Sequence, residues 1–225
     1  MTSGEQLHLL PPESSSGYEL AGTSEIADDG VAGDDGEGDA ASAILDRRTV
    51  AEADPADPIA IALDVARQLD ELRVPYVVGG SLASSVHGEP RSTLDVDMVV
   101  DLRQAHVAGL SASMRREYYF DAEVAAEAVR LSSSFNAVHL ASAIKVDFFV
   151  AGTDAFEAER LRHRLGIRIP DTADTVLWVD TAEHSLLRKL ERFRRGHEVS
   201  DRQWRDAASI VAVQGDRLDR ARLDH

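Results

Sequence analysis

After about residue 57 the chain alternates between helical and strand-like spacing of its apolar residues. Over residues 58–72 the apolar positions recur at helical spacing, and Asp57 is placed to cap the first turn of that helix. The apolar run VPYVV then predicts a short buried strand over residues 74–78. Two glycines, Gly79 and Gly80, end that strand and indicate a tight turn.

The same two patterns predict the remaining elements. Strands are expected over residues 94–102, 137–140, 143–150, 167–169 and 176–179, and helices over residues 81–86, 103–116, 121–131, 156–164, 181–195 and 200–213. Elements in this order indicate an α/β (α+β) domain in which a mixed β-sheet is flanked by helices. We assign the core to residues 58–180 and a C-terminal helical subdomain to residues 181–225.

Composition separates residues 1–57 from the rest and predicts a disordered acidic tail there. Residues 1–58 hold 14 acidic residues against two arginines, whereas the other 167 residues hold 26 acidic and 22 basic residues. A segment so rich in Gly, Ser, Asp and Glu buries too little apolar surface to offset its ordering entropy. The alternative to a solvated tail is a partner-binding or autoinhibitory segment, which would use the apolar patch at residues 43–45.

Composition also excludes several kinds of site and compartment. The chain contains no cysteine, so disulfides, thiol nucleophiles and cysteine-based zinc sites are absent. No apolar run approaches the roughly 20 residues that span a bilayer, and the N-terminal sequence lacks the pattern of a signal peptide. We therefore expect a cytoplasmic protein that does not enter a membrane.

Two aspartates lie two residues apart in the strand predicted at residues 94–102. Successive side chains of a strand point to opposite faces, so Asp95 and Asp97 share one face, roughly 6.6 Å apart along the backbone. Val96 and Met98 point to the other face and can fill the core. Carboxylates this close repel unless solvent or a cation lies between them. The pattern therefore fits either an ordinary exposed strand face or a metal site.

A third aspartate, Asp147, interrupts the apolar run AIKVDFFV. Burying this carboxylate without a partner would be costly, and a metal ion, Lys145 or exposure at the sheet face would each relieve that cost. If this strand lies beside the strand of Asp95 and Asp97, three carboxylates meet at one place. Such a set suits one or two hard divalent cations, which prefer oxygen ligands.

The glycine pair supplies a second part of a candidate site. A strand that ends in Gly79-Gly80 and runs into a helix lets backbone amides approach a phosphate, and the helix N-terminus favours an anion. Ser81 adds a hydroxyl donor. Arg91 lies between this turn and the next strand, where it can pair with a phosphate or form a surface salt bridge with Glu89 or Asp95.

Together these motifs resemble the DNA polymerase-β-like nucleotidyltransferase superfamily. That superfamily carries an apolar residue before Gly-Gly or Gly-Ser, then a D-h-D strand and a later h-D-h strand, where h is apolar. The matching stretches are VGGS at residues 78–81, DVD at 95–97 and VDF at 146–148. The resemblance covers roughly residues 60–213 and is greatest to minimal bacterial members, including the AbiEii-like group. The spacing from the glycines to D-x-D is longer here than in the most compact members.

The resemblance implies a nucleotidyltransferase-type fold and assigns roles by position. Asp95, Asp97 and Asp147 would be the catalytic residues and the ligands of Mg²⁺ or Mn²⁺, and Asp147 could also activate the acceptor hydroxyl. The predicted nucleotide-binding residues are Gly79, Gly80, Ser81, Arg91 and Lys189.

The C-terminal helices carry further candidates. Lys189 and Asp206 fall where the AbiEii-like group has a lysine and a later aspartate, and a solvated helix face is the alternative for both. Residues 188–205 hold seven basic and three acidic residues. This composition fits a patch for a triphosphate or an RNA acceptor, or else a solvated face with Phe193 and Trp204 in the core.

The predicted function is therefore a metal-dependent transfer of a nucleoside monophosphate from a nucleoside triphosphate to an unidentified hydroxyl acceptor. The acceptor classes that remain open are a small molecule, tRNA and a protein. The AbiEii-like resemblance adds a toxin-like role with an antitoxin-like protein partner. The alternative is a catalytically inert protein on the same fold that binds a nucleotide or a partner.

Overall fold

The computed structural model describes residues 57–169 and 175–223. Within these residues the chain forms eight α-helices and seven strands. Of the predicted acidic tail, only Asp57 lies within these residues. The strands are β1 (Tyr76–Val78), β2 (Asp95–Val100), β3 (Tyr118–Phe120), β4 (Ser134–His139), β5 (Lys145–Val150), β6 (Leu165–Arg168) and β7 (Val176–Val179). The helices are α1 (Pro58–Glu71), α2 (Gly80–His87), α3 (Gln104–Met114), α4 (Ala122–Leu131), α5 (Ala155–His163), α6 (Ala182–Arg195), α7 (Asp201–Gln214) and α8 (Arg220–Leu223).

The seven strands form one mixed sheet in the order β3-β4-β5-β2-β1-β7-β6. β2 pairs with β5 and β1 with β7 in parallel, and the other neighbours are antiparallel. The predicted mixed sheet flanked by helices is thus confirmed. The sequence pattern does not predict β3, because YYF is short and lies between two helical stretches. Pairing with β4, which begins at Ser134 rather than at residue 137, holds it in the sheet.

The two faces of the sheet differ in what they bury. One face carries the main core, in which alternate residues of β2 and β5, such as Met98 and Phe148, are fully buried against α1, α3 and α4. The opposite face carries a smaller cluster of Val77, Val99 and Ala151, with Phe149 beside it. Since side chains alternate along a strand, the polar residues of β2 and β5 belong to this second face.

The C-terminal helices form a layer of their own. α6 and α7 pack against each other around a small apolar cluster that includes Leu186 and Ile210, and both helices contact α2. Thr181 caps α6 and Ser200 caps α7 through side-chain hydrogen bonds. The predicted C-terminal helical subdomain is therefore confirmed. Among the described residues, no helix is both long and apolar enough to cross a membrane.

Candidate active site

The register between β2 and β5 determines where the three predicted carboxylates lie. The two strands are parallel neighbours, with Asp97 directly beside Asp147 and Asp95 directly beside Lys145. Adjacent strands lie about 4.8 Å apart, so these four residues form the corners of a small rectangle on the second face of the sheet. The structure therefore brings the three predicted aspartates to one face of two neighbouring strands.

Asp147 has a protein partner on its own strand. The Nζ of Lys145 lies 2.7 Å from Oδ2 of Asp147, and the two side chains are 45% and 21% exposed. The hydrogen bond to Asp147 raises the pKa of Lys145 against a smaller effect of burial, and the charges of Asp147, Asp95 and Asp97 raise it further. A metal ion, Lys145 or exposure could each offset the cost of burying Asp147 in this apolar strand, and the structure shows the pairing with Lys145.

The three carboxylates are suitable ligands for a divalent cation, but their side chains do not converge on one point. Within the described residues, no three His, Asp or Glu side chains are arranged so that they could hold one ion. Asp95, Asp97 and Asp147 nevertheless offer only oxygen ligands from a single face, which is the donor set that Mg²⁺ and Mn²⁺ take. A cation that binds Asp147 through Oδ2 would displace Lys145 from that oxygen.

The glycine turn is attached directly to the D-x-D strand. The N–H of Gly79 donates to the carbonyl oxygen of Asp97 at 2.9 Å. Gly80 has a φ of +60°, and a Cβ at this position would overlap the carboxylate of Asp97. Glycine is therefore needed at residue 80 for two reasons, the left-handed backbone and the close approach of a carboxylate. The turn and the D-x-D motif form one unit.

A network of charged groups surrounds Ser81 in the first turn of α2. Arg91 and Arg202 donate hydrogen bonds to Oγ of Ser81 at 2.5 Å and 3.1 Å. Arg91 also binds both carboxylate oxygens of Asp206, at 2.7 Å and 2.8 Å. Lys189 donates to that same carboxylate at 2.6 Å. The first turn of α2 is thus connected to both C-terminal helices.

Two of the alternatives that the sequence left open for this network are wrong. The salt-bridge partner of Arg91 is neither Glu89 nor Asp95 but Asp206, which lies 115 residues away and has no local pattern that links it to Arg91. Lys189 and Asp206 do not lie on a solvated helix face, since they are 3% and 5% exposed. Burial lowers the pKa of Lys189. Burial would raise the pKa of Asp206, but the hydrogen bonds from Arg91 and Lys189 hold it below its usual value.

The predicted nucleotide-binding residues therefore lie at different depths. Lys189 is buried behind Asp206, so in this conformation its ammonium reaches Arg91 and Ser81 only through that carboxylate. Arg91 is closer to the surface and lines a cavity of about 700 Å³ together with Asp95. Lys189 is thus placed to position Arg91, whereas Arg91 is placed to contact a ligand.

A second cavity, of about 200 Å³, opens next to Asp97. Its wall contains Asp97, Gly80 and Phe149. The other lining residues are Met98, Val99, Glu191 and four arginines, namely Arg160, Arg188, Arg192 and Arg195. Guanidinium groups bind phosphate in bidentate fashion, but Arg160 already binds Asp180, and Arg188 and Arg195 pair with Glu191. Arg192 is therefore the guanidinium of this cavity that is placed to meet a phosphate next to Asp97.

Arg192 is the arginine that approaches the carboxylate of Asp97. Its Nη2 lies 3.6 Å from Oδ1 of Asp97, and its guanidinium lies over the ring of Phe149 at 5.7 Å. The sequence places Arg192 only within a general basic stretch, and the packing of α6 against α2 distinguishes it from its neighbours by bringing its side chain to Asp97. In the same stretch Trp204 is 54% exposed, so the alternative that it lies in the core is wrong.

A buried ion pair that no sequence pattern indicates supports the glycine turn. Arg160 of α5 donates to both oxygens of Asp180, at 2.9 Å and 2.6 Å, and both side chains are almost fully buried. A Cβ at Gly79 would lie 2.5 Å from Nη2 of Arg160. Nε2 of His87 lies 2.5 Å from the carbonyl oxygen of Asp180, and burial lowers the pKa of this histidine. The turn is thus held between the D-x-D strand and Asp180.

Comparison with known proteins shows similarity to solved structures. No protein-family model matches the chain, and no curated protein sequence matches it. An antigenic nucleotidyltransferase-like protein from Paracoccidioides brasiliensis has a TM-score of 0.47 and 16% identity, covering 68% of this chain and 75% of that one. The resistance factor ANT(2'')-Ia, in complex with adenylyl-2''-tobramycin, has a TM-score of 0.44 and 11% identity, covering 71% and 90%. A CCA-adding enzyme in complex with ATP has a TM-score of 0.35 and 14% identity, covering 76% and 47%.

Proposed function

We propose that this protein is a metal-dependent nucleotidyltransferase that transfers a nucleoside monophosphate from a nucleoside triphosphate to a hydroxyl acceptor. The observation that carries the proposal is the register of β2 and β5, which sets Asp97 beside Asp147. The glycine turn adjoins this pair, because the N–H of Gly79 donates to the carbonyl oxygen of Asp97. Carboxylates for a cation and donors for phosphate are thereby joined in one place. The resemblance in sequence motifs leads to the same activity.

Asp95, Asp97 and Asp147 would hold Mg²⁺ or Mn²⁺. Their fit rests on the all-oxygen donor set and on the single face of the sheet that they share. A cation bound there offsets charge on the phosphates and lowers the pKa of the acceptor hydroxyl. The backbone of Asp97 is held by the hydrogen bond from the N–H of Gly79, which fixes the position of this residue on β2 beside the glycine turn.

The phosphates would be held by the glycine turn and by arginines. Gly80 carries no side chain at the start of α2, and the N-terminus of this eight-residue helix favours an anion. Arg192, which is 38% exposed beside Asp97, supplies a guanidinium from the other side. Arg91 and Arg202, which converge on Ser81, supply two more cationic groups.

In the transfer, the acceptor oxygen forms a bond to the α-phosphorus. The bond from that phosphorus to the oxygen bridging to the β-phosphate breaks, and pyrophosphate leaves. Asp147, on the strand next to Asp97, would take the proton of the acceptor hydroxyl. The contribution of the protein is mostly positioning and electrostatic stabilisation, as in other phosphoryl transfers.

One observation favours a second candidate, a catalytically inert protein that binds a nucleotide or a partner. The ion pair between Lys145 and Asp147 neutralises the carboxylate that would take the proton. If this pair persists when a triphosphate is bound, the oxygen of Asp147 that Lys145 binds is blocked for the metal ion and for the proton of the acceptor. The two candidates then differ in transfer and agree in binding.

Transfer of label from an α-labelled nucleoside triphosphate tests the proposal. The protein is incubated with Mg²⁺, each of the four labelled ribonucleoside triphosphates and a cell extract that is then separated into RNA, protein and small molecules. We expect label in one fraction, which identifies the acceptor class, and a loss of roughly 100-fold or more in Asp95→Asn, because charge stabilisation is lost.

Asp101→Asn is the matched control, since Asp101 follows the same strand but pairs with Arg103 at 3.3 Å. It should transfer like the wild type. Transfer that is equal in Asp95→Asn and in the wild type would show that this carboxylate is not catalytic. Binding of triphosphate without transfer to any fraction would favour the inert candidate.

A further inference from the structure

We infer that Lys145 is the counter-ion of Asp147 at the carboxylate site when no ligand is bound. A metal–triphosphate complex would displace Lys145 from this carboxylate. Metal and triphosphate would then bind cooperatively, and free metal would bind weakly. This inference rests on the proposed function, because it concerns the cation that the same three carboxylates would hold.

The position of Lys145 follows from strand register and not from a chance contact of a surface side chain. Lys145 and Asp147 are two residues apart on β5 and therefore point to the same face. On the adjacent strand, Asp95 lies beside Lys145 and Asp97 lies beside Asp147. The backbone of Lys145 therefore occupies one corner of the rectangle, and the three aspartates occupy the other corners.

The charges on this face explain why a free divalent cation would bind poorly. Asp95, Asp97 and Asp147 carry three negative charges, and the ammonium of Lys145 lies 2.7 Å from one of them. Arg192, 3.6 Å from Asp97, supplies a second positive charge. A cation that binds without a triphosphate competes with the ammonium of Lys145 for Asp147, and it is repelled by the positive charge of Arg192.

A nucleoside triphosphate changes this balance. Its phosphates bring several negative charges to the same face, so Lys145 and Arg192 gain new partners as the cation takes Asp147. A ligand shifts an equilibrium only through its different affinity for the two states. Here the two states are Lys145 bound to Asp147 and Lys145 bound to phosphate, and the triphosphate favours the second.

The choice of lysine at this position fits such an exchange. The chain has 24 lysines and arginines together, and only Lys145 and Lys189 are lysines. Both bind an aspartate, but the side chain of Lys189 is buried whereas that of Lys145 is 45% exposed and has room to move. A lysine is a compact charge on a flexible stem, in contrast to the rigid fork of arginine.

Titration of Mn²⁺ in the absence of nucleotide tests the inference on the full-length protein. Lys145→Met keeps the length of the stem and removes the charge. We expect this variant to bind Mn²⁺ about tenfold more tightly than the wild type, measured by calorimetry and by the metal-induced rise in melting temperature. The tenfold change corresponds to about 1.4 kcal/mol.

Arg67→Met is the control for net charge. Arg67 pairs with Asp64 at 3.0 Å on α1, which packs against the opposite face of the sheet. Both substitutions take the net charge from −16 to −17, so only a local effect separates them. Arg67→Met should bind Mn²⁺ like the wild type, and the double variant Lys145→Met/Asp147→Asn should lose the gain in affinity.

Each outcome has a distinct meaning. Equal Mn²⁺ affinity in the wild type and in Lys145→Met, with triphosphate binding intact, would overturn the inference and leave the proposed function standing. Weaker Mn²⁺ binding in Lys145→Met would also overturn it, since Lys145 would then hold Asp147 in a productive position. Absence of Mn²⁺ binding in both proteins, with and without triphosphate, would contradict the inference and the proposed function together.

Discussion

At the scale of single residues, Gly80 is where backbone conformation and site chemistry meet. Its positive φ places the start of α2 against Asp97, and the space that a side chain would fill holds the carboxylate. Any L-residue at this position must accept a disfavoured backbone and also move Asp97. The residue therefore links the stability of the fold to the position of a predicted metal ligand.

We predict that Gly80→Ala destabilises the protein more than Gly215→Ala does and abolishes metal-dependent triphosphate binding. Gly215 also has a positive φ, +53°, but nothing lies within 4 Å of an added Cβ. Gly215→Ala should therefore cost only the backbone strain, about 1–3 kcal/mol. Gly80→Ala should cost that and about 2 kcal/mol more for the overlap. Urea denaturation measures both, and equal costs would show that the carboxylate moves freely.

Local patterns predict some residues of the site and miss others. Asp95 and Asp97 share a face because alternation along a strand depends on two-residue spacing alone. The ion pair of Arg91 with Asp206 joins residues 115 apart, so only the packing of α7 against α2 establishes it. Arg192 is distinguished within a basic stretch in the same way, because the packing of α6 against α2 brings its side chain to Asp97.

At the scale of elements, Asp180 joins β7 to the glycine turn and to α5. Its side chain binds Arg160, and its backbone accepts from His87 and donates to Val78. The strand end therefore carries three connections to neighbouring elements. Loss of the carboxylate would leave the guanidinium of Arg160 buried beside Glu157 alone.

We predict that Asp180→Asn lowers the free energy of unfolding by about 1–3 kcal/mol, because an amide accepts less of the hydrogen bonding of Arg160 and leaves Glu157 as the carboxylate that pairs with it. Glu127→Gln is the control, since Glu127 and Arg130 form an exposed pair on α4. That change should leave the unfolding midpoint in urea unaltered. A midpoint for Asp180→Asn that matches the control would mean that solvent or Glu157 compensates Arg160.

The elements themselves were largely predictable from the spacing of apolar residues. Both central strands and the two long C-terminal helices have strong periodicity over six or more residues. β3 has three residues and lies at the sheet edge, so its strand character comes from pairing with β4 and not from its own sequence. Strand order is likewise a property of long-range pairing, which spacing does not encode.

At the scale of the whole molecule, the two faces of one sheet have different tasks. One face holds the main apolar core with α1, α3 and α4, and it supports the strands. The other holds the carboxylates and Arg192, and α5 packs there over a small apolar cluster. Substitutions on the second face should therefore alter ligand binding at little cost in stability, except where they touch a buried pair or the glycine turn.

The central claim is that the face with Asp97 binds a metal–triphosphate complex. Isothermal titration with Mg²⁺ and each of the four ribonucleoside triphosphates tests it most directly, on the wild type, Asp97→Asn and the control Asp101→Asn. We predict binding of at least one triphosphate that requires Mg²⁺, persists in Asp101→Asn and is lost in a folded Asp97→Asn. Binding that survives in Asp97→Asn, or no binding of any triphosphate to the wild type, would contradict the account.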